Sequence, residues 1–479
     1  MQYAFSNNQI RAAEEKTMAG GTAQTELMRR AGEALAARVQ AAMQRLGLND
    51  CLFVCGGGNN GGDGFVAAQI LLERGADVAV LSFAQQFSAA CAWAKDNYRG
   101  ELLCRMPRRF YPLIVDCVFG TGLNRAPEGD GAALIEFINN SGAHIIACDL
   151  PSGLSEGGIA NTPCVLANET VTFGGLKHAL VLADGADVAG EITAVDIGLQ
   201  PEGGAEVWED SDCAVLFSKR KSHTHKGDFG QAAILGGWQS GGAGLLAAAA
   251  CLKSGCGYTR HFVPQEQYSY FFGRQPAAIL RPMEGIEEAL SSSAVAIGMG
   301  TGVSGELYQM ICKLLSSYKG ALVIDADGLN TLAKYGANAL KNKGCDVILT
   351  PHPKEFSRLT GKSVEEILRD PVGMATAFAR EYAVTVVLKN NRTVITNGGR
   401  TAINITGSPA LAKGGSGDVL SGFLAGTCAR GVPPFEAACV ASYVLGRAGE
   451  KAAADMGEYA PDATDIIGYL PEAIQSIRK

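Results

Sequence analysis

Short apolar runs, each closed by a glycine-rich loop and followed by a helical pattern, recur along the whole chain. CLFVC (51–55) runs into GGGNNGGDGF (56–65) and a helix from about Asp63. DVAVLSF (77–83) leads to a helix, then PLIVDCVFGTG (112–122), a further helix and HIIACDLPSG (144–153). This βαβα order predicts a parallel sheet with helices on both faces and ligands at the carboxyl ends of the strands. Runs near ETVTFG (169–174) and HALVL (178–182) read as later strands that complete it. Ahead of them, Leu27, Ala31, Leu35, Val39, Ala42 and Leu46 make one apolar stripe at helical spacing. A second series follows: QAAILGG (231–237), AVAIGMG (294–300), ALVID (321–325), DVILTP (346–351) and VTVVLK (384–389). The stretch GLQPEGGAEVWEDSD (198–212) is rich in Gly, Pro and acid, so the connector is placed there. The expected organisation is an N-terminal α/β domain over 1–205, a linker over 206–215 and a second α/β domain over 216–479. The glycine loops of the two halves differ, so no internal repeat is read.

The chain has 479 residues, enough for two or more domains, and 47% of them are apolar. A net charge of −7 gives no general attraction to nucleic acid or an anionic membrane, so phosphate binding must be local. The 14 cysteines are scattered. Cys51 and Cys55, or Cys251 and Cys256, lack a second pair at zinc-finger spacing, and the expectation is reduced, buried thiols in a cytoplasmic protein. The early charges Arg11, Glu14, Glu15 and Lys16 do not fit a signal peptide. LLAAAACL (245–252) is far short of the ~20 residues of a membrane span and reads as a buried helix. Apolar N-terminal helices outside a sheet suggest burial against a second copy.

AKGGSGDVLSGFLAG (412–426) carries the most chemistry. Glycines and a serine precede Asp418, and a helix follows. Backbone N–H groups and a helix N-terminus can hold an anion while the carboxylate takes a proton from an attacking hydroxyl. A glycine cap before an ordinary N-capped helix is the bland alternative. Lys389 closes VTVVLK, and His352 and Glu355 in TPHPKEF follow another strand at the same sheet edge. HKGDFG (225–230) and GGWQSGGAG (236–244) read as a flexible access loop.

At the other end, GGGNNGGDGF lacks the usual GxGxxG spacing, and no matching acid ends the next strand, so a simple dinucleotide fingerprint does not fit. Asp63 is also suited to capping the helix. Asp116 and Asp149 close two further strands. Asn60, Asp116 and Ser152 are oxygen donors from three strand-end loops; a hard cation and a hydrogen-bonded loop cluster are both open readings.

GGSGDVLSG, DADGLN (325–330), TPHPKEF and HKGDFG together resemble the ribokinase-like NAD(P)H-hydrate dehydratases over roughly the last 260 residues. NNGGDG, DCVFGTG and DLPSG resemble the NAD(P)H-hydrate epimerases over about the first 200. The resemblance implies a Rossmann-like sheet joined to a ribokinase-like α/β/α domain. It implies a bifunctional repair enzyme that interconverts the R and S forms of NADH-hydrate and NADPH-hydrate and dehydrates the S form with ADP or ATP, ADP being preferred. In the dehydratase half it implies Asp418 as the base on the C6 hydroxyl and Gly417, Lys389, Asn390, Asn391, Arg392 and Thr393 against the nucleotide. Ala243, Gly302, His352 and Asp418 would meet the hydrate, with Mg²⁺ at that site. In the epimerase half it implies K⁺ on Asn60, Asp116 and Ser152. The hydrate would lie against Asn59, Asn60, Gly61, Gly62 and Asp63, against Gly120, Thr121, Gly122, Leu123, Asn124, Arg125 and Ala126, and against Asp149. Asp149 is the chosen acid/base, and Lys177 matches a family lysine near the site. Three departures stand out: Lys354 where HPGE is frequent, Asn390 where Gly often follows the strand lysine, and Gly57-Gly58 where PG often precedes NNGGDG.

Two rivals remain at this point. A ribokinase-like small-molecule kinase with an accessory N-terminal ligand-binding domain would release a stable phosphorylated product. A nucleotide sensor would bind without turnover.

Overall fold

The computed structural model describes residues 2–122 and 125–478. The chain divides into two compact units, Tyr3–Gly204 and Ala205–Lys479, the latter counted together with Met1–Gln2. Among the described residues no helix is long and apolar enough to cross a membrane.

The N-terminal unit is built on seven parallel strands. Their order across the sheet is Glu101–Leu103, Asp77–Leu81, Asp50–Cys55, Leu113–Cys117, His144–Cys148, Glu169–Phe173 and Glu191–Val195. The central strands are buried on both faces, which is why they read as continuous apolar runs. Successive side chains alternate between two cores. Phe53, Val80, Val115 and Ile146 meet the helices Gln24–Leu46, Asn59–Glu73 and Ala89–Asn97. Leu52, Ala79, Ile114 and Ile145 meet the helix Gly129–Asn140 through Leu134, Ile135 and Ile138. The stripe Leu27, Ala31, Leu35, Val39 and Ala42 is therefore covered within its own unit and carries no argument for a second copy, while Leu46 is exposed. Each such fully buried Leu or Val contributes about 1.5–3 kcal/mol.

HALVL is not a strand. His178–Val181 is one helical turn after the two-residue strand Leu176–Lys177, and Glu191–Val195 completes the sheet instead. Apolar content alone does not separate a buried turn from a short strand.

In the C-terminal unit the order is Ile279–Pro282, Tyr258–Val263, Gln231–Leu235, Ala294–Ile297, Ala321–Ile324, Asp346–Leu349, Thr385–Leu388, Thr393–Thr396, Thr401–Asn404 and Ala205–Val207. The first seven are parallel. Thr393–Thr396 then runs antiparallel to both its neighbours. The helices Gly241–Lys253, Ser416–Ala429, Pro434–Met456 and Ala463–Ile477 share one core with Ala232, Ile234, Val323, Ile348 and Val387 of the sheet. The stretch 206–215, which its polar composition marks as a linker, is not a free connector. Ala205–Val207 pairs with Thr401–Asn404, Asp210–Ala214 is helical, and Trp208 and Cys213 enter the core. A bidentate bond from Arg400 to Glu206 secures the pairing, a partnership at a distance of 194 residues that composition hides.

Candidate active sites

The run of seven parallel strands in each unit reverses its order once. In the N-terminal unit this happens between Asp50–Cys55 and Leu113–Cys117, and in the C-terminal unit between Gln231–Leu235 and Ala294–Ile297. The loops leaving neighbouring strands diverge there, and a crevice opens at their carboxyl ends.

The N-terminal crevice is a cleft of about 890 Å³ whose polar lining includes Glu14, Asn59, Asn60, Asp63, Asp149 and Lys177. Gly120, Thr121, Gly122, Arg125 and Ala126 also line it; Leu123 and Asn124 lie outside the described residues. The helix of the glycine loop starts earlier than its composition suggests, at Asn59 with Gly58 as N-cap, so Asp63 lies inside the helix and does not cap it. A Cβ at Gly61 would stand 2.0 Å from the Gly56 carbonyl oxygen, so only glycine lets the first turn fold back on its own loop. Gly61 and Gly62 accordingly face the core rather than the cleft.

Asp149 follows the strand His144–Cys148 with φ of 67°, a left-handed conformation uncommon outside glycine. The ammonium of Lys177 donates to Asp149 Oδ1 at 2.6 Å, to Thr172 Oγ1 at 2.8 Å and to the Phe173 carbonyl at 2.9 Å. All three donors of this buried lysine are used, so its ammonium is fixed beside Asp149. The other two acids differ. Burial, and then the charge of Asp149, push Asp63 well above the usual carboxylate range and raise Glu14 as well. Three carboxyls thus face one cleft, and burial raises the proton affinity of Asp63 and Glu14.

Behind the cleft, the fully buried Asp116 accepts from Ser152 Oγ at 2.6 Å, Ser152 N at 2.8 Å and Val118 N at 3.1 Å. Asn60 lies against Gly120, and its buried Oδ1 and Nδ2 have no hydrogen-bond partner. Leaving a buried amide unpaired costs about 1–3 kcal/mol, so the oxygen set has room for one more participant.

In the C-terminal unit, Asp418 stands in the first turn of the helix Ser416–Ala429. Burial and the charge of Asp325 raise its pKa to about 7, against the pull of Lys389. Lys389 Nζ bonds Asp325 Oδ1 at 2.9 Å, and Ser421 Oγ donates to Asp325 Oδ2 at 2.7 Å. Burial opposes the lysine charge, but Asp325 and Glu355 more than restore it. Gly417 lies over this pair; a Cβ there would be 3.2 Å from Lys389 Nζ. The hydroxyl of Ser416, next to Gly417, is buried without a partner. Asn390, Asn391 and Arg392 form the hairpin between Thr385–Leu388 and Thr393–Thr396, so Lys389–Thr393 leaves the same edge.

Across the order reversal, Ala243 is in the first turn of Gly241–Lys253, and the Gly302 N–H donates to Asp327 Oδ2 at 2.8 Å. Ala326, between Asp325 and Asp327, is held at φ 49° and ψ −115°. This strained residue separates one carboxylate on Lys389 from another on the Gly302 loop. His352 caps the helix Pro353–Thr360 by accepting from Lys354 N and Glu355 N at Nδ1, which leaves its Nε2 edge toward Glu355.

The segment HKGDFG is not at this edge. It precedes the strand Gln231–Leu235, and a Cβ at Gly230 would meet the Ala429 carbonyl at the far end of the Asp418 helix. It packs the amino-terminal edge of the sheet and is no access loop.

Glu14, Asp325, Asp327, Ser416 and Ser421 were not singled out as site residues from sequence. DADGLN was a signal for the two aspartates. Nothing marked Glu14, which arrives on the helix Asn7–Ala19 from outside every motif.

Fold and sites define a two-unit α/β enzyme, with a carboxylate-centred site at the strand ends of each unit. Comparison with known proteins makes this specific. Residues 232–472 match the NAD(P)H-hydrate dehydratase family, and residues 24–179 match the YjeF-related protein N-terminus family. A bifunctional NAD(P)H-hydrate repair enzyme of Thermofilum pendens is 34% identical over 96% of this chain and 93% of its own. One from Escherichia coli is 31% identical over 94% and 89%. The solved ADP/ATP-dependent NAD(P)H-hydrate dehydratase of Bacillus subtilis, co-crystallised with ATP/Mg²⁺, superposes with a TM-score of 0.51 at 28% identity, over 57% of this chain and 99% of that one. The chain belongs to the bifunctional NAD(P)H-hydrate repair enzyme family.

Proposed function

We propose that the N-terminal unit interconverts the C6 epimers of NADH-hydrate and NADPH-hydrate, and that the C-terminal unit dehydrates the S epimer at the expense of ADP or ATP. The observation that carries this is Asp418, a carboxyl with pKa near 7 in the first turn of a helix and beside the Lys389–Asp325 pair. A base of that strength is half ionised at neutral pH and matched to removing a hydroxyl proton.

In the dehydration, Asp418 takes the proton of the C6 hydroxyl as its oxygen attacks the terminal phosphoryl group. Lys389, the Gly417 backbone and the unpartnered Ser416 hydroxyl neutralise charge on the phosphoryl oxygens. The ring-nitrogen electron pair then expels phosphate from C6, C5 loses a proton, and the dihydronicotinamide is restored. Ala243, Gly302 and His352 line the hydrate side; Lys389–Thr393 lines the nucleotide. Mg²⁺ entering with the nucleotide would offset charge on the phosphoryl group being transferred.

In the epimerisation, C6 loses and regains its configuration as either the N1–C6 or the C6–O bond breaks and re-forms. Asp149, hydrogen-bonded to Lys177, moves the proton at the C6 oxygen, and Asp63 or Glu14, whose proton affinity burial raises, supplies the opposing proton. Paired carboxyls in one cleft suit acid and base roles. Asn60, Asp116 and Ser152 would hold K⁺, which would supply a fixed positive charge behind the cleft. The unpartnered Asn60 amide oxygen fits a cation ligand.

The test is to incubate the protein with mixed C6-hydrate epimers, with and without ADP or ATP, and follow dihydronicotinamide absorbance and orthophosphate. Full nucleotide-dependent recovery with equal phosphate release supports the reading. A stable phosphorylated product would replace it with a kinase.

A further inference from the structure

Cys251 stands in the last turn of the helix Gly241–Lys253, and its Sγ lies 3.6 Å from that of Cys256. They are brought together by the turn Ser254–Gly255, where Ser254 Oγ accepts from Cys256 N at 3.3 Å. Thr259 Oγ1 sits between the sulfurs, 3.2 Å from Cys251 Sγ and 3.4 Å from Cys256 Sγ. Arg430 and Arg220 close over the same turn, bonding the carbonyls of Ser254 and Gly255. Cys251 is fully buried, whereas Cys256 is partly exposed. No proposed catalytic step uses either thiol.

We propose that Cys251 and Cys256 are a reversible dithiol–disulfide site for which peroxides are the oxidant. Hydrogen bonding with the Cys251 thiol and the nearby Arg430 charge pull the Cys256 thiol below its ordinary range, against the opposing effect of burial, and so favour its thiolate. That sulfur attacks the peroxide O–O bond, becoming a sulfenic acid and releasing one oxygen as water. The Cys251 sulfur then displaces the sulfenic hydroxyl, its own proton leaving with it as a second water. The two sulfurs lose two electrons in all, and a disulfide is formed from adjacent groups without a large approach.

The location ties this chemistry to the dehydratase unit. The helix Gly241–Lys253 carries Ala243 in its first turn and Cys251 in its last, and it packs on the helix of Asp418. The two backbones touch: a Cβ at Gly422 would stand 2.0 Å from the Ala247 carbonyl, and one at Gly426 2.1 Å from Ser254 Oγ.

The test uses the full chain treated with hydrogen peroxide and digested with trypsin. Lys253 separates the two cysteines, so the bridge joins peptide 227–253 to peptide 254–260, each of which contains one cysteine. The expected result is this linked pair, formed ahead of modification of the exposed Cys104 and lost on adding dithiothreitol. Cys256→Ser is expected to abolish the link, and Cys251→Ser to leave a sulfenic acid on Cys256 that dimedone traps. Both variants are checked for folding by circular dichroism. Modification of Cys104 without the linked pair in the folded wild-type protein would overturn the proposal, as would failure of dithiothreitol to reverse the link.

Discussion

Lys177 donates to Asp149 Oδ1 at 2.6 Å from a side chain only 1% exposed, and Asp149, just past the strand His144–Cys148, takes a left-handed backbone conformation. A buried lysine with every donor used is fixed in place beside Asp149. In the same cleft, burial and the charge of Asp149 raise the proton affinity of Asp63 and Glu14.

Replacing that lysine should therefore disable one reaction and spare the other. Lys177→Met is expected to slow epimerisation by about 10²-fold or more, the range of a lost acid–base contribution. Nucleotide-dependent dehydration of pure S epimer should stay within about twofold. Epimer ratios read by chromatography check the first, and absorbance recovery checks the second.

The proton affinity of Asp418 predicts a pH profile. Its pKa is raised to about 7, so the basic, active form gains population as pH rises through 7 and is lost below it. The dehydration kcat/KM should climb between about pH 6 and 8 and then level. Asp418→Asn should remove that limb with the activity, leave nucleotide binding by calorimetry largely intact, and leave epimerisation unchanged. A flat profile in the wild type would assign the base elsewhere.

Asp325 is buried and depends on Lys389 for its countercharge. Lys389→Met leaves a buried carboxylate unpaired, which costs about 3–5 kcal/mol. A lower urea midpoint for the C-terminal unit is expected, with a raised nucleotide KM. Asp325→Asn should restore part of the stability lost in Lys389→Met without restoring activity.

The unpartnered Asn60 amide sets up a cation test. Exchanging K⁺ for tetramethylammonium should lower the epimerisation rate about tenfold or more, and Asn60→Ala should abolish the response. Epimerisation equally fast in both salts would remove K⁺ from the site.

Helix contact in the C-terminal unit is also testable. Gly422→Ala places a methyl group 2.0 Å from the Ala247 carbonyl oxygen. A destabilisation of about 1–3 kcal/mol is expected, as for other overpacked cores, and it should be accompanied by loss of dehydration.

Much of this architecture was legible because parallel strands buried on both faces leave continuous apolar runs. CLFVC, HIIAC and VTVVLK lie on observed strands for that reason. Asp149, Asp116, Lys389 and Asp418 were legible as well, since each closes a strand or opens a helix, where a parallel sheet exposes its chemistry. The glycine-rich NNGGDG was misread as a loop. Glycine disfavours helix on average, yet here close packing against Gly56 demands it inside one. The strand Ala205–Val207 was hidden because its partner lies almost two hundred residues away.

By itself the sequence determined the two α/β series, the carboxylates at strand and helix ends and the motifs that place the chain in its family, because these depend on local periodicity and on residues at strand ends. Only the tertiary structure decided which groups face one another. It brought Glu14 from the first helix to Asp149, set Asp325 on Lys389, sent HKGDFG to the opposite edge and placed Cys251 against Cys256. Proton affinity and thiol reactivity come from burial and from charges a few ångströms away, and neither exists until the chain is folded.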